Sequence, residues 1–113
     1  MAYTGIVKKS SRRGHALGFP TANIRVDDPD ISGSYIALVT IDGKRYWAAA
    51  YADQSRGLLE AHLLDFEGDL YGKEVSIELL DKLRDPQRFG NDKVLREAIA
   101  ADVAKVRDYL ARR

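Results

Sequence analysis

Three short stretches of this 113-residue chain hold side chains whose types and spacing suit chemistry. The first is Arg13-Gly14-His15-Ala16-Leu17-Gly18-Phe19-Pro20-Thr21-Ala22-Asn23. Its two glycines, with basic residues just ahead, let backbone N–H groups approach a phosphate closely. It is not a nucleotide loop ending in Gly-Lys-Ser/Thr, because no such run follows. Thr21 and Asn23 stand two apart after a proline that fixes φ, so in a strand their side chains leave on one face. A hydroxyl and an amide carbonyl are hard oxygen donors, suited to Mg²⁺ carrying nucleotide phosphates. A Pro-Thr turn in which Asn23 bonds its own backbone accounts for the same residues.

The second stretch is Leu59-Glu60-Ala61-His62-Leu63-Leu64-Asp65-Phe66. As a strand it sets Glu60, His62 and Leu64 on one face and Leu59, Ala61 and Leu63 on the other. A carboxylate in an otherwise apolar strand is costly to bury unless it is paired or working. In a working role it takes the proton of a hydroxyl that attacks phosphorus; the plain alternative is a surface glutamate. His62 reads as a structural histidine. With only one other histidine, His15, and no cysteine, a zinc site is not expected, and disulfides and thiol nucleophiles are excluded. The third stretch runs from Asp81 to Phe89, ahead of the C-terminal helix. Its Leu83, Arg84 and Phe89 either line a pocket for a flat ligand or only seal the core.

The elements that must position these residues are mostly short strands. Tyr3–Lys8, Asn23–Val26, Ser34–Ile41, Lys44–Tyr51, Leu58–Phe66 and Glu74–Lys82 are apolar or alternating runs bounded by turn residues. Asp42-Gly43 between two of them predicts a two-residue hairpin with positive φ at both positions. Leu58–Phe66 and Glu74–Lys82 read as a further antiparallel pair. From Asp92 onward the period lengthens: Val94, Leu95, Ala98, Ile99, Val103, Val106 and Leu110 recur at helical steps, with Asn91 as N-cap. Short strands followed by one helix predict a small antiparallel barrel, closed or nearly so, with the helix packed on it.

Composition narrows the function classes. Apolar residues make up 45% of the chain and charged residues 31%, the balance of an ordinary globular domain. A net charge of +1 argues against a dedicated nucleic-acid binder, although Lys8, Lys9, Arg12 and Arg13 cluster near Tyr3 and leave a small RNA-binding barrel as a rival reading. No apolar run approaches the ~20 residues of a membrane span, and the first residues lack the order of a secretory signal. The expectation is one domain over residues 1–113, monomeric and cytoplasmic.

Leu17-Gly18-Phe19-Pro20-Thr21-Ala22-Asn23 resembles the signature of riboflavin kinases, including the kinase module of bifunctional bacterial FAD synthetases. Glu60-Ala61-His62-Leu63-Leu64-Asp65-Phe66 with Asp69-Leu70-Tyr71-Gly72 resembles the family's second block, and Lys82-Leu83-Arg84 with Phe89 and the terminal helix its third. The resemblance implies a six-stranded antiparallel Greek-key barrel with a C-terminal helix, making FMN from riboflavin and a nucleoside triphosphate, ATP in the first instance. It implies that Thr21 and Asn23 hold Mg²⁺ and that Glu60 is the base acting on the riboflavin 5′-hydroxyl. Arg13, Gly14, His15, Gly18, Phe19, Pro20 and Tyr71 are then the nucleotide-binding set, and Leu83, Arg84, Phe89 and Leu95 the flavin-binding set.

The chain also departs from the family pattern. Residues Ala48 to Gly57 are shorter than the usual loop and lack its Asn-Ile-Gly…Pro-Thr. Lys8-Lys9 replaces a His-Gly, and His15 stands where a basic residue is common. No nucleotidyltransferase segment precedes the barrel, so FMN rather than FAD is the expected product. The alternative is a catalytically impaired flavin- or nucleotide-binding barrel that serves as a sensor or regulatory module.

Overall fold

The computed structural model describes residues 2–8 and 20–112. Six strands, β1 (Ala2–Ile6), β2 (Thr21–Arg25), β3 (Gly33–Ile41), β4 (Lys44–Asp53), β5 (Leu58–Leu63) and β6 (Glu74–Arg84), precede one helix, α1 (Asp92–Ala111). The sheet order is β1-β6-β3-β4-β5-β2, with every pairing antiparallel. Strands β3, β4 and β5 follow one another as neighbours and β6 returns beside β3, which is a Greek key. The outermost strands meet where the Lys8 N–H donates to the Asn23 carbonyl at 2.9 Å, so the sheet curls into a nearly closed barrel. Closure leaves few open strand edges.

The expected hairpin is present: Ile41 pairs with Lys44 across Asp42 (φ 51°) and Gly43 (φ 79°). The expected pairing of β5 with β6 is not. Strand β5 lies between β4 and β2, and β6 between β3 and β1. The connection from Leu64 to Lys73 therefore crosses one end of the barrel instead of closing a hairpin. Strand β6 also runs on to Arg84, so Lys82 to Arg84 belong to a strand rather than to the connection that follows.

Two apolar layers result. The barrel interior takes the inward residue of each strand pair, among them Ala22, Ile24, Val39, Ala50, Leu59, Ala61 and Ile77. The opposite face of β3, β4 and β5 is covered by α1, and there Ile36, Ala49, Leu64 and Val106 are buried with Trp47, Leu83 and Tyr109 packed against them. Asn91 caps the helix, its Oδ1 accepting from the Val94 N–H at 3.0 Å. Among the described residues no helix is long and apolar enough to cross a membrane.

Candidate active site

Strand register assembles the site on the outer face of the barrel. Asn23 pairs with Glu60, Glu60 with Tyr51, Tyr51 with Ser34, and Ser34 with Arg84. Directly opposed residues share a face with Cβ atoms ~5 Å apart, so these five form one row across five strands. Thr21, His62 and Ala49 form the neighbouring row. The predicted division of β5 is observed: Leu59, Ala61 and Leu63 enter the barrel core, while Glu60 and His62 face outward.

Between this face, the segment after β6 and the first half of α1 lies a cavity of about 210 Å³. Glu60, His62, Arg84, Phe89, Leu95 and Ile99 are among its lining residues. Sequence-predicted Glu60, Arg84, Phe89 and Leu95 are thus brought together. Leu83 is not: it turns into the apolar seam beneath α1. Pro20 contributes instead to a separate open hollow with Leu64, Phe66, Val103 and Arg107. Tyr71 is 58% exposed on the connection between β5 and β6. Arg13, Gly14, His15, Gly18 and Phe19, with Lys9 and Arg12 of the basic cluster, lie outside the described residues.

Thr21 and Asn23 leave β2 on the same side, and Asn23 is buried. The Thr21 Oγ1 lies 3.1 Å from His62 Nδ1. Burial pushes His62 down to about 4, partly opposed by the negative charge of Asp102, so its imidazole is neutral near pH 7. In the tautomer whose Nδ1 is unprotonated, the Thr21 hydroxyl donates to it and keeps its oxygen lone pairs for a cation; the other tautomer reverses the bond. Among the described residues there is no cluster of three His, Cys, Asp or Glu side chains able to hold a metal alone. A hydroxyl and an amide oxygen suit Mg²⁺, which keeps waters and completes its shell with phosphate oxygens.

Arg84 forms one wall of the cavity. Its Nε and Nη2 donate to the two carboxylate oxygens of Asp102 at 3.1 and 2.9 Å, and the Ser34 hydroxyl donates to the same carboxylate at 2.9 Å. The guanidinium lies 5.7 Å from the Tyr51 ring centre and 5.5 Å from that of Phe89. Gly33 lets the start of β3 pass close to the backbone at the end of β6: at φ +84°, an added Cβ would stand 2.2 Å from the Arg84 carbonyl oxygen. Sequence reasoning passed over Asp102, Ser34 and Tyr51. The available signal was an aspartate within the apolar helix stripe of Ile99, Val103 and Val106, where a charge needs a partner.

The shortened segment before β5 closes as a tight turn. The Arg56 and Gly57 N–H groups donate to the Asp53 and Gln54 carbonyls, each at 3.3 Å. Gln54 Nε2 ties the turn to the Pro29 and Ile31 carbonyls at 2.8 Å each. Arg56 Nη1 donates to Glu60 Oε1 at 3.1 Å, which sets a cation against the candidate base.

The family profile described as "Flavokinase: Riboflavin kinase" matches residues 1–110. The bifunctional riboflavin kinase/FMN adenylyltransferase of Pseudomonas fluorescens is 37% identical over 116 residues, a match covering 95% of this chain and 37% of that protein. The chain thus spans well under half the length of that relative. A crystal structure of riboflavin kinase from Trypanosoma brucei superposes with a TM-score of 0.65 at 28% identity, covering 97% of this chain and 76% of that one. A Streptococcus pneumoniae crystal structure described as a macrolide-efflux protein superposes with a TM-score of 0.78 at 30% identity, covering 94% and 38%.

Proposed function

The chain belongs to the riboflavin kinase family, and from that premise we propose that it transfers the terminal phosphoryl group of a nucleoside triphosphate, ATP in the first instance, to the riboflavin 5′-hydroxyl to make FMN. The observation that carries the reading is the pairing of Asn23 with Glu60 on adjacent strands, Glu60 itself lining the cavity with Phe89 and Leu95. Oxygen donors for a phosphate-bound cation and a carboxylate for a hydroxyl proton are then neighbours, as phosphoryl transfer to an alcohol requires.

In this mechanism the flavin ring enters between Phe89, Leu95 and the stacked Arg84–Tyr51 pair, with its ribityl end toward Glu60. Glu60 takes the proton as the 5′-oxygen attacks the γ-phosphorus. Thr21 and Asn23 would hold Mg²⁺, which when bound would neutralise phosphate charge. Pro20 and Tyr71, with the stretch from Arg13 to Phe19, belong to the nucleotide side. Phosphoryl transfer needs positioning and charge neutralisation more than covalent help, so this set is chemically sufficient. The absence of cysteine suits a reducing compartment, and we assign the enzyme to the cytoplasm as a monomer.

The test is incubation of the purified chain with riboflavin, Mg²⁺ and ATP, CTP or GTP, followed by chromatography for FMN. Glu60→Gln keeps the fold and lowers turnover by ~10²-fold or more, the usual contribution of a positioned base. Wild-type turnover in that variant would remove Glu60 from the role. Flavin binding without FMN from any donor would replace the kinase with a binding module.

A further inference from the structure

The turn between β4 and β5 places a second arginine at the cavity. Arg56 Nη1 bonds Glu60 and lies 3.8 Å from Asp53 Oδ2. An ion pair with so exposed a cation adds little to stability, since its side chain is 45% exposed. Yet its backbone is firmly placed. Gln54 straps the turn to the Pro29 and Ile31 carbonyls, and Gly57, at φ +61°, sits so close beneath Asp27 that a Cβ would lie 2.8 Å from Asp27 Oδ1. Arg84, which lines the same cavity, is committed to Asp102 through two bonds. Among the described residues, Nε and Nη2 of Arg56 have no protein acceptor. Arg56 is therefore, among the described residues, the cavity cation able to turn toward a ligand.

We propose that Arg56 is a phosphate-binding residue that passes from the Glu60 carboxylate to the phosphoryl group as it arrives on the flavin; the inference rests on Glu60 being the base. Before transfer, Glu60 is ionised and holds the guanidinium. During transfer the 5′ O–H bond breaks and its proton goes to Glu60, while an O–P bond forms to the γ-phosphorus. The bridging P–O bond breaks, and its electron pair leaves with the nucleoside diphosphate. Glu60 is then neutral, and the product phosphate beside it carries about two negative charges. The cation follows the charge, and its planar fork matches phosphate oxygens in a way an ammonium does not.

The test measures riboflavin and FMN binding, without nucleotide, by flavin fluorescence in wild type, Arg56→Gln and Arg56→Lys. Arg56→Gln weakens FMN by ~10-fold, the scale of one charge-assisted hydrogen bond, and leaves riboflavin within about twofold. Arg56→Lys falls between. Equal weakening of both ligands, or of neither, overturns the assignment, as does a wild type that binds FMN no better than riboflavin. Turnover of Glu60→Gln separates the two claims. If it equals wild type, the base has been misassigned; if it is slow while Arg56→Gln leaves the FMN-to-riboflavin ratio unchanged, only Arg56 has been.

Discussion

Removing the Asp102 carboxylate tests how the helix is fastened to the barrel. Asp102 is 95% buried at the middle of α1, and it accepts three hydrogen bonds, one from Ser34 on β3 and two from Arg84 on β6. In Asp102→Ala the Ser34 hydroxyl, fully buried, loses its acceptor, at a cost of ~1–3 kcal/mol. The Arg84 side chain, 19% exposed, loses its counter-charge while its guanidinium is still held between Tyr51 and Phe89. Breaking one partner of a buried pair costs ~3–5 kcal/mol, and that range already includes the stranded hydroxyl. With a urea dependence of ~2 kcal/mol per molar for a domain of this size, the unfolding midpoint falls by ~2 M. Trp47 is the sole tryptophan and lies 5.9 Å from the Tyr109 ring in the seam under α1, so its fluorescence reports the helix leaving. Asp102→Ala, Arg84→Ala and the double variant complete a thermodynamic cycle, with an expected coupling of ~2 kcal/mol. A loss below ~1 kcal/mol for Asp102→Ala, or a coupling near zero, would refute the argument that this carboxylate fastens the helix.

Two further outcomes follow from buried groups. His62 is held near 4 in the folded state against 6.5 when exposed, so the unfolded chain binds the extra proton. Stability is therefore full above pH 6.5 and declines toward pH 4 by ~1.4 kcal/mol per unit, about 3 kcal/mol in all. A urea series across that range checks it, and the same slope in His62→Gln would assign the decline elsewhere. Gly33→Ala combines a strained positive φ with a Cβ 2.2 Å from the Arg84 carbonyl oxygen, and loses more than ~2 kcal/mol, or ~8 °C in thermal midpoint. Gly43→Ala has φ +79° but open space around it, so it loses about half as much; equal losses would show that the Arg84 contact is unimportant.

The sequence carried the elements and the chemistry that is local in it. Alternation in Leu59 to Leu64 set Glu60 and His62 apart from the core residues between them, and Asp42-Gly43 announced its turn, because both signals come from backbone geometry within a few residues. The helical stripe from Val94 to Leu110 and its Asn91 cap are legible for the same reason. Resemblance to a known family, not periodicity, raised Thr21, Asn23 and Glu60 above their plain structural readings.

Tertiary structure decided which strands pair and therefore which chemical groups meet. Alternation within β5 and β6 says that each is a strand but not that β5 joins β2, and that choice is what sets Asn23 opposite Glu60. Register shifts between β3 and β6 around Ser34, Tyr35 and Ala37 re-aim the end of β6, so Leu83 enters the helix seam and Arg84 reaches Asp102. Ser34 and Asp102 lie 68 positions apart in the chain, and Arg84 reaches the same carboxylate from another strand. Contacts of that kind depend on closure of the barrel and on the helix seated against it. No local pattern contains them, since the free energy that selects one pairing over another comes from burying the whole outer and inner face at once.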